Sequence, residues 1–473
     1  MVLNLRSDRI VARNFLSLGS GEAAARIISF VATIYVARVL GASAYGTVEV
    51  AAAVILYLSR VVDWGVDLGL GVREVAGDTK RAAELGPTIL TIRVTLAVLL
   101  TGIVSAVALL FLPEPDGSVL AAYSLTLLAV GVSPRWIHLG FERAHRIAVA
   151  RTLGELAMVV AVILAVRAPD QVVRVPLARF LGDALTAALL LWWVRRLGVR
   201  LIPRFRWSTV RPLIRPGAYL MLGALLGLMI YNADLLLLRI FRDASHVGVY
   251  AAGYTLVAFL GNLGIAYGLS LLPTLTRLQT SPKAQLDLYR TAMAQTFAVA
   301  LPVAAGGFLF APRIIDLVFG QSYAASAGVL AILIWTIPTA LFRDVALTAL
   351  LATGREKEVM RITGWAAALN MGLNLFLIPR YGLIGAAAAT IATETARMLL
   401  SQRAAGVVGF RMPGPARFWC VLLAGGAMVA LLLLLRPQSL LGGMVLGVLF
   451  YAGALTVVGG IRWRPRQLPE LTV

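Results

Sequence analysis

The sequence predicts an all-α polytopic membrane protein of about 14 transmembrane helices, and three observations carry that expectation. Hydrophobic residues make up 59% of the 473 and charged residues only 14%, which excludes a chain of ordinary soluble domains. Apolar stretches of roughly 20 residues, enough to cross a hydrocarbon core of about 30 Å, recur from one end to the other. The arginines cluster in short intervals between those stretches, the pattern that orients helices in a bilayer.

Apolar runs bounded by charged or Pro/Gly-rich breaks place helices near 14–38, 45–70, 87–112, 118–139, 147–167 and 173–196. A second set runs near 213–239, 247–273, 288–312, 323–352, 359–378 and 384–405, followed by two further spans near 416–435 and 440–461. With a cytoplasmic N-terminus, Arg73, Lys80, Arg81, Arg143, Arg146, Arg151, Arg277, Lys283, Arg290, Arg355, Lys357 and Arg361 all fall inside. So do the basic stretch from Arg195 to Arg215 and the tail residues Arg462, Arg464 and Arg466, whereas the outer loop from Pro113 to Ser118 is acidic. This asymmetry predicts an even number of spans with both termini in the cytoplasm.

The formal charge of +20 does not mark a nucleic-acid binder, because the arginines lie between spans rather than on one amphipathic face. The single cysteine, Cys420, sits in an apolar run and reads as a small core residue; one cysteine excludes an intramolecular disulfide. Arg6, Arg9 and Arg13 precede an apolar segment that holds Glu22 and Arg26 and lacks a small-residue cleavage site, so it is read as a retained first helix.

An internal repeat is visible. Ala42-Ser43-Ala44-Tyr45-Gly46 before the second helix is echoed by Ala244-Ser245-His246-Val247-Gly248 before the eighth, and a similar offset of about 200 residues brings Asp183 near Glu394. Copies with an even number of helices share one orientation, which implies a pseudo-two-fold axis along the membrane normal. The expected organisation is a six-helix lobe over 1–205, a second over 206–410, and accessory helices 13 and 14 with a basic cytoplasmic tail over 411–473.

Three stretches carry a family resemblance: Ala25-Arg26-Ile27 through Ala37-Arg38-Val39-Leu40-Gly41 to Tyr45-Gly46; Val247-Gly248-Val249-Tyr250 leading to Pro273; and Asn370 through Asn374-Leu375-Phe376-Leu377-Ile378-Pro379-Arg380-Tyr381-Gly382 to Gly385-Ala386-Ala387. Together with the span count they resemble the polysaccharide (Wzx-type) flippases of the multidrug/oligosaccharidyl-lipid/polysaccharide exporter superfamily. The resemblance implies two six-helix lobes around a central cavity, alternating between inward- and outward-open states. It also implies a cargo of polyprenyl-pyrophosphate-linked oligosaccharide, moved from the inner to the outer leaflet of a bacterial or archaeal cell membrane for cell-surface polysaccharides such as O-antigen. Glycosyltransferases or a polymerase are the implied partners. An ion-coupled multidrug antiporter of the same superfamily and a peptidoglycan-precursor flippase are the alternatives.

A charge at the bilayer centre costs about 2.5–3.5 kcal/mol on insertion scales, so ionisable residues within spans are the candidate site. Arg26 lies near the middle of helix one with Glu22 one turn earlier on the same face: either a cationic contact for pyrophosphate or a self-neutralising pair. Arg60, Asp63 and Asp67, at spacings of three and four, share a face of helix two in its cytoplasmic half, where they meet a headgroup, form a switching ion pair or, for Asp67, are solvated. Helix seven carries Tyr231-Asn232-Ala233-Asp234 in its outer half; Asn232 is a substrate contact, and Asp234 a candidate H+ or Na+ carrier or the partner of an arginine. In helix ten, Arg343 and Asp344 either pair with neighbours or leave Arg343 as a second cationic contact for cargo. Glu22 joins Asp234 as a candidate for ion coupling. Arg179 with Asp183, and Glu394 with Arg397, are spaced to pair within their own helices, and Arg93 is placed to snorkel to the cytoplasmic surface.

No Gly-x-x-x-x-Gly-Lys-Ser/Thr stretch exists, so transport is expected to run on an ion gradient or on consumption of the product. His138, His145 and His246 form no metal pattern, and no cofactor is expected. The glycine runs Gly223 to Gly227 and Gly442-Gly443 are read as places of close helix contact. An integral-membrane glycosyltransferase or polymerase would need a large extramembrane loop bearing clustered carboxylates, and every loop here is short.

Overall fold

The computed structural model describes residues 5–458, 461–462 and 470–471, with side chains from residue 24 onward apart from a few within the helices. Among the described residues, twelve helices are long and apolar enough to cross a membrane. Two of them are doubled. In Leu5–Asp63 the backbone turns at Gly41 (φ 74, ψ 173), and in Glu356–Val407 at Gly382 (φ 55, ψ −126), three residues after Pro379. A side chain strains such backbone angles, so each glycine divides a helix far longer than a bilayer into two crossings. That gives the fourteen crossings the sequence predicts, in an all-α membrane protein whose exposed helix faces carry Leu110, Phe111, Leu434 and Val457, each at least 75% exposed. The remaining extended structure is a short pairing of Ile461–Arg462 with Glu470–Leu471.

Two helices differ from the expectation. The continuous helix expected over 45–70 ends at Asp63: Trp64 and Gly65 adopt positive φ (50° and 76°), a wide π-type turn covers Val66–Leu70, and a short helix follows over Gly71–Val75. The span near 118–139 is three segments, Asp116–Ser124, Thr126–Val132 and Arg135–Gly140, the last break falling at Pro134, which has no amide hydrogen to give.

The chain packs as two compact units. One comprises 1–228 with 242–248, the other 229–241 with 249–473. This division follows contacts, whereas the division expected at 205 and 410 follows the repeat. In the first unit Ile55, Val62, Ala97 and Leu127 form one buried cluster, and Leu85, Trp136, Ile137, Val194 and Val199 another. Helices Ala144–Ala165 and Arg174–Arg195 approach so closely that a Cβ on Gly182 would lie 2.5 Å from the Gly154 carbonyl oxygen, the small-residue contact by which helices associate in lipid. The second unit is built around Tyr289, Met293, Phe342 and Phe410, with Met428, Leu432 and Tyr451 of the last two helices packed on Ala298 and Phe310. Gly223 and Gly227, expected to permit close helix contact, have no neighbour within 4 Å of a would-be Cβ.

The two copies of the repeated pentapeptide touch within the first unit, and they do so reciprocally. A Cβ on Gly46 would lie 1.8 Å from the Ala244 carbonyl oxygen, and one on Gly248 would lie 1.9 Å from that of Ala42.

Candidate functional site

In the first unit the break after Asp63 turns two carboxylates onto one cation. The Asp63 carboxylate accepts the Asp67 amide at 3.0 Å, which ties the two ends of the break together. Arg93, from helix Thr79–Phe111, then lies 3.5 Å from Asp63 and 3.2 Å from Asp67, and donates to the Val130 carbonyl at 2.8 Å. Arg93 is 2% exposed. The expectation that it snorkels is therefore wrong: it is buried against two carboxylates of the preceding crossing and the turn that follows it. Asp63, expected either at a cargo headgroup or in a switching ion pair, lies against Arg93.

Arg179 shows the same principle three crossings further on. It holds Asp183 of its own helix at 3.1 Å, as its spacing predicts, and also Glu155 of the preceding helix at 3.2 Å. In the second unit Arg343 is buried between Asp344, at 2.8 Å, and Glu394, whose other oxygen lies 3.5 Å from Arg397. Two guanidiniums and two carboxylates meet here among the described residues. Arg343 is thus paired, as one of its two expected readings had it, rather than an open cationic contact. The cluster borders a cavity of about 180 Å³ lined by Tyr254, Asn262, Thr336, Arg343, Thr390 and Glu394.

Asp234 is 1% exposed and its partners are neutral. Its carboxylate accepts the Leu235 amide at 2.9 Å and the Tyr250 hydroxyl, which in turn lies 3.4 Å from Thr390. The arginine partner anticipated for it is replaced by this tyrosine. Asn374 donates to Asn370 at 2.9 Å, and Asn370 to Thr393 at 3.4 Å. Asn232 is half-buried two residues from Asp234.

Arg26 and Arg60 differ from the other arginines. Arg26 is exposed, beside Ile27 (53%) and Val31 (56%), fifteen residues or about 22 Å of helix from the turn at Gly41. Arg60 is half-buried on the second crossing. It sits between Tyr57, which donates to the Leu228 carbonyl at 3.1 Å, and Trp64, which donates to that of Ile214 at 3.2 Å, so its face of the helix looks onto 214–228. Among the described residues neither arginine forms an ion pair within 4.0 Å. The Glu22 side chain lies outside the described residues.

Sequence reasoning missed Arg93, Glu155, Tyr250 and Thr390 as members of these clusters. For Arg93 the signal was present: an arginine inside a strongly apolar span, with two carboxylates on the span before it. Tyr250 was visible only as helix-end punctuation. Among the described residues no group of three metal-binding side chains occurs.

Fourteen crossings, with charge clusters closed inside each unit and two arginines that form no ion pair among the described residues, define a multi-pass membrane protein. The profile of the polysaccharide biosynthesis protein family matches residues 11–279, more than half of the sequence, and the chain belongs to that family. Over 233 residues it is 26% identical to "Probable flippase AglR" of Haloferax volcanii, a match covering 48% of each chain, so that it spans about half the length of that relative. It is 21% identical to a "Putative O-antigen transporter" of Shigella dysenteriae over 83% of this chain and 99% of the other. The solved structure "Lipid II flippase MurJ, inward closed conformation" has the same fold, with a TM-score of 0.79 at 11% identity, covering 93% of this chain and 98% of that one.

Proposed function

We propose that this chain is a flippase that carries a polyprenyl-pyrophosphate-linked oligosaccharide from the inner to the outer leaflet by alternating access, supplying cell-surface polysaccharide synthesis. The observation that carries the reading is the sorting of the arginines. Arg93, Arg179 and Arg343 each have carboxylate partners inside one unit, whereas Arg26 and Arg60 have none among the described residues. An unmatched guanidinium at that depth needs an anion, and the fork of a guanidinium fits the oxygens of a pyrophosphate. The family membership and the flippase relatives support the same cargo class. In this reading Arg26 and Arg60 hold the headgroup, Asn232 contacts the sugar, and the matched groups Asp63 and Arg343 act through the clusters they close.

Asp234 is the proposed coupling group for H+ or Na+, because its partners among the described residues are neutral and its burial sets a cost on charge that a cation removes. The loop charges support a location in the inner membrane with both termini cytoplasmic, and in this reading the protein works beside the glycosyltransferases and polymerase that make and consume the cargo. The test is flux in proteoliposomes with labelled lipid-linked oligosaccharide. Transport of that lipid, without efflux of cationic drugs, is expected; drug efflux without lipid movement would transfer the chain to the multidrug antiporter reading.

A further inference from the structure

We infer that the first unit holds a resident anionic phospholipid in a groove between helices Thr79–Phe111 and Arg174–Arg195, at the end that the loop charge assigns to the cytoplasm. The groove has a volume of about 490 Å³, within the range of built small-molecule sites. Its walls are apolar, from Leu90, Val94, Val132 and Leu191, and its one charged lining group is Arg195. Apolar walls with a guanidinium at the rim match an acyl chain ending in a phosphate.

The roof of the groove is fixed. The linker after Arg195 is pinned by Val199, which is fully buried, and by Leu201, which lies where a Cβ on Gly86 would come within 2.5 Å of it. The absence of a side chain at Gly86 leaves room for the Leu201 methyl against the helix. The same linker is strongly cationic. Arg195, Arg196, Arg200, Arg204, Arg206, Arg211 and Arg215 are all exposed, no acidic residue occurs between Asp183 and Asp234, and among the described residues none of the seven forms an ion pair. Arg196 is braced 3.9 Å over the Trp192 ring. Exposed Ile202, Phe205 and Trp207 follow, the apolar and aromatic side chains that sit at headgroup depth.

Loop charge that only oriented the helices would need no groove beneath it, and basic pockets between crossings on the cytoplasmic side are where anionic headgroups bind. The groove belongs to one unit at one end of the crossings. That geometry suits a lipid that stays with the protein, and not a cargo that must reach both sides.

Native mass spectrometry of the purified full-length protein with added phosphatidylglycerol or phosphatidylcholine tests the assignment. Wild type is expected to retain phosphatidylglycerol preferentially and to gain thermal stability from it. R195Q/R196Q should weaken that retention about 25-fold, at about fivefold per guanidinium. Val94→Trp, which fills the groove and leaves the charges intact, should abolish it, whereas R211Q, off the groove, should change it by no more than about fivefold. All three variants should elute as monodisperse protein with the lipid-free melting temperature of wild type. Equal retention of the two lipids by wild type, or full phosphatidylglycerol retention in Val94→Trp, overturns the proposal. So does displacement of phosphatidylglycerol by a short-chain polyprenyl diphosphate, which would make the groove a cargo site.

Discussion

Substituting alanine for Gly46 tests whether the reciprocal contact of the two pentapeptides is a junction that opens. The new Cβ would lie 1.8 Å from the Ala244 carbonyl oxygen, short by 1.2 Å of the 3.0 Å that real Cβ contacts keep, and the obstacle is backbone rather than a side chain that can swing aside. Overpacking of this kind costs about 1–3 kcal/mol. Placed on one state of a two-state equilibrium, that cost shifts the populations about 5- to 150-fold away from the closed junction. Val247, fully buried beside Gly248, provides the reporter once Cys420 is replaced by serine. In Val247→Cys protein, labelling by a membrane-impermeant maleimide should accelerate by that factor when Gly46→Ala is added, and Gly248→Ala should reproduce the effect. Gly223→Ala, where the Cβ meets nothing, should not. An unchanged labelling rate in protein that still melts cooperatively refutes the reasoning, because the contact would then have absorbed the methyl without opening.

Glu394→Gln removes one of the two carboxylates holding Arg343 and Arg397, and a buried pair broken on one side costs about 3–5 kcal/mol. The expected result is a lower melting temperature and a poor yield of folded protein; normal stability with lost transport would show that the cluster acts on cargo instead. Asp234→Asn keeps an acceptor for Tyr250 but no charge, so flux should persist down a cargo gradient while its response to an imposed sodium or proton gradient disappears. A gradient response equal to that of wild type would remove Asp234 from coupling. Asp243 caps helix Ala244–Arg277 by accepting the His246 amide at 3.0 Å, and hydrogen bonding to His246 holds its carboxyl below the ordinary value of 3.8. A depressed folded-state pKa stabilises above 3.8 and loses that contribution as pH falls through the folded value, so the cap is complete at pH 7. Asp243→Ala should lower stability by about 1 kcal/mol at pH 7 and by progressively less below pH 4, as read by thermal melts; a gap that widened in acid would contradict the sign.

The crossings were legible because each must supply about 20 apolar residues, a constraint written into composition at every point of the chain. Gly41 and Gly382 were visible as breaks for the same reason. The turn after Asp63 was not, because Trp64 and Gly65 lie inside an apolar run and their positive φ reflects how Gly65 and Trp64 seat against Leu220 and Gly217. Spacing along a helix identified Arg179 with Asp183 and Glu394 with Arg397, which are local pairs. It could not identify Arg93 with Asp63, Arg179 with Glu155, or Asp234 with Tyr250, whose partners come from other elements. Intramembrane charge told where to look, and packing decided which charges were already answered.

Flux of labelled polyprenyl-pyrophosphate oligosaccharide into the outer leaflet of proteoliposomes, compared between wild type and the Arg26→Gln/Arg60→Gln double variant at matched folded content, bears most directly on the unmatched arginines. Loss of flux and of headgroup binding, with the melting temperature unchanged, is the predicted result. Wild-type flux in the double variant would mean that pyrophosphate crosses without those two guanidiniums.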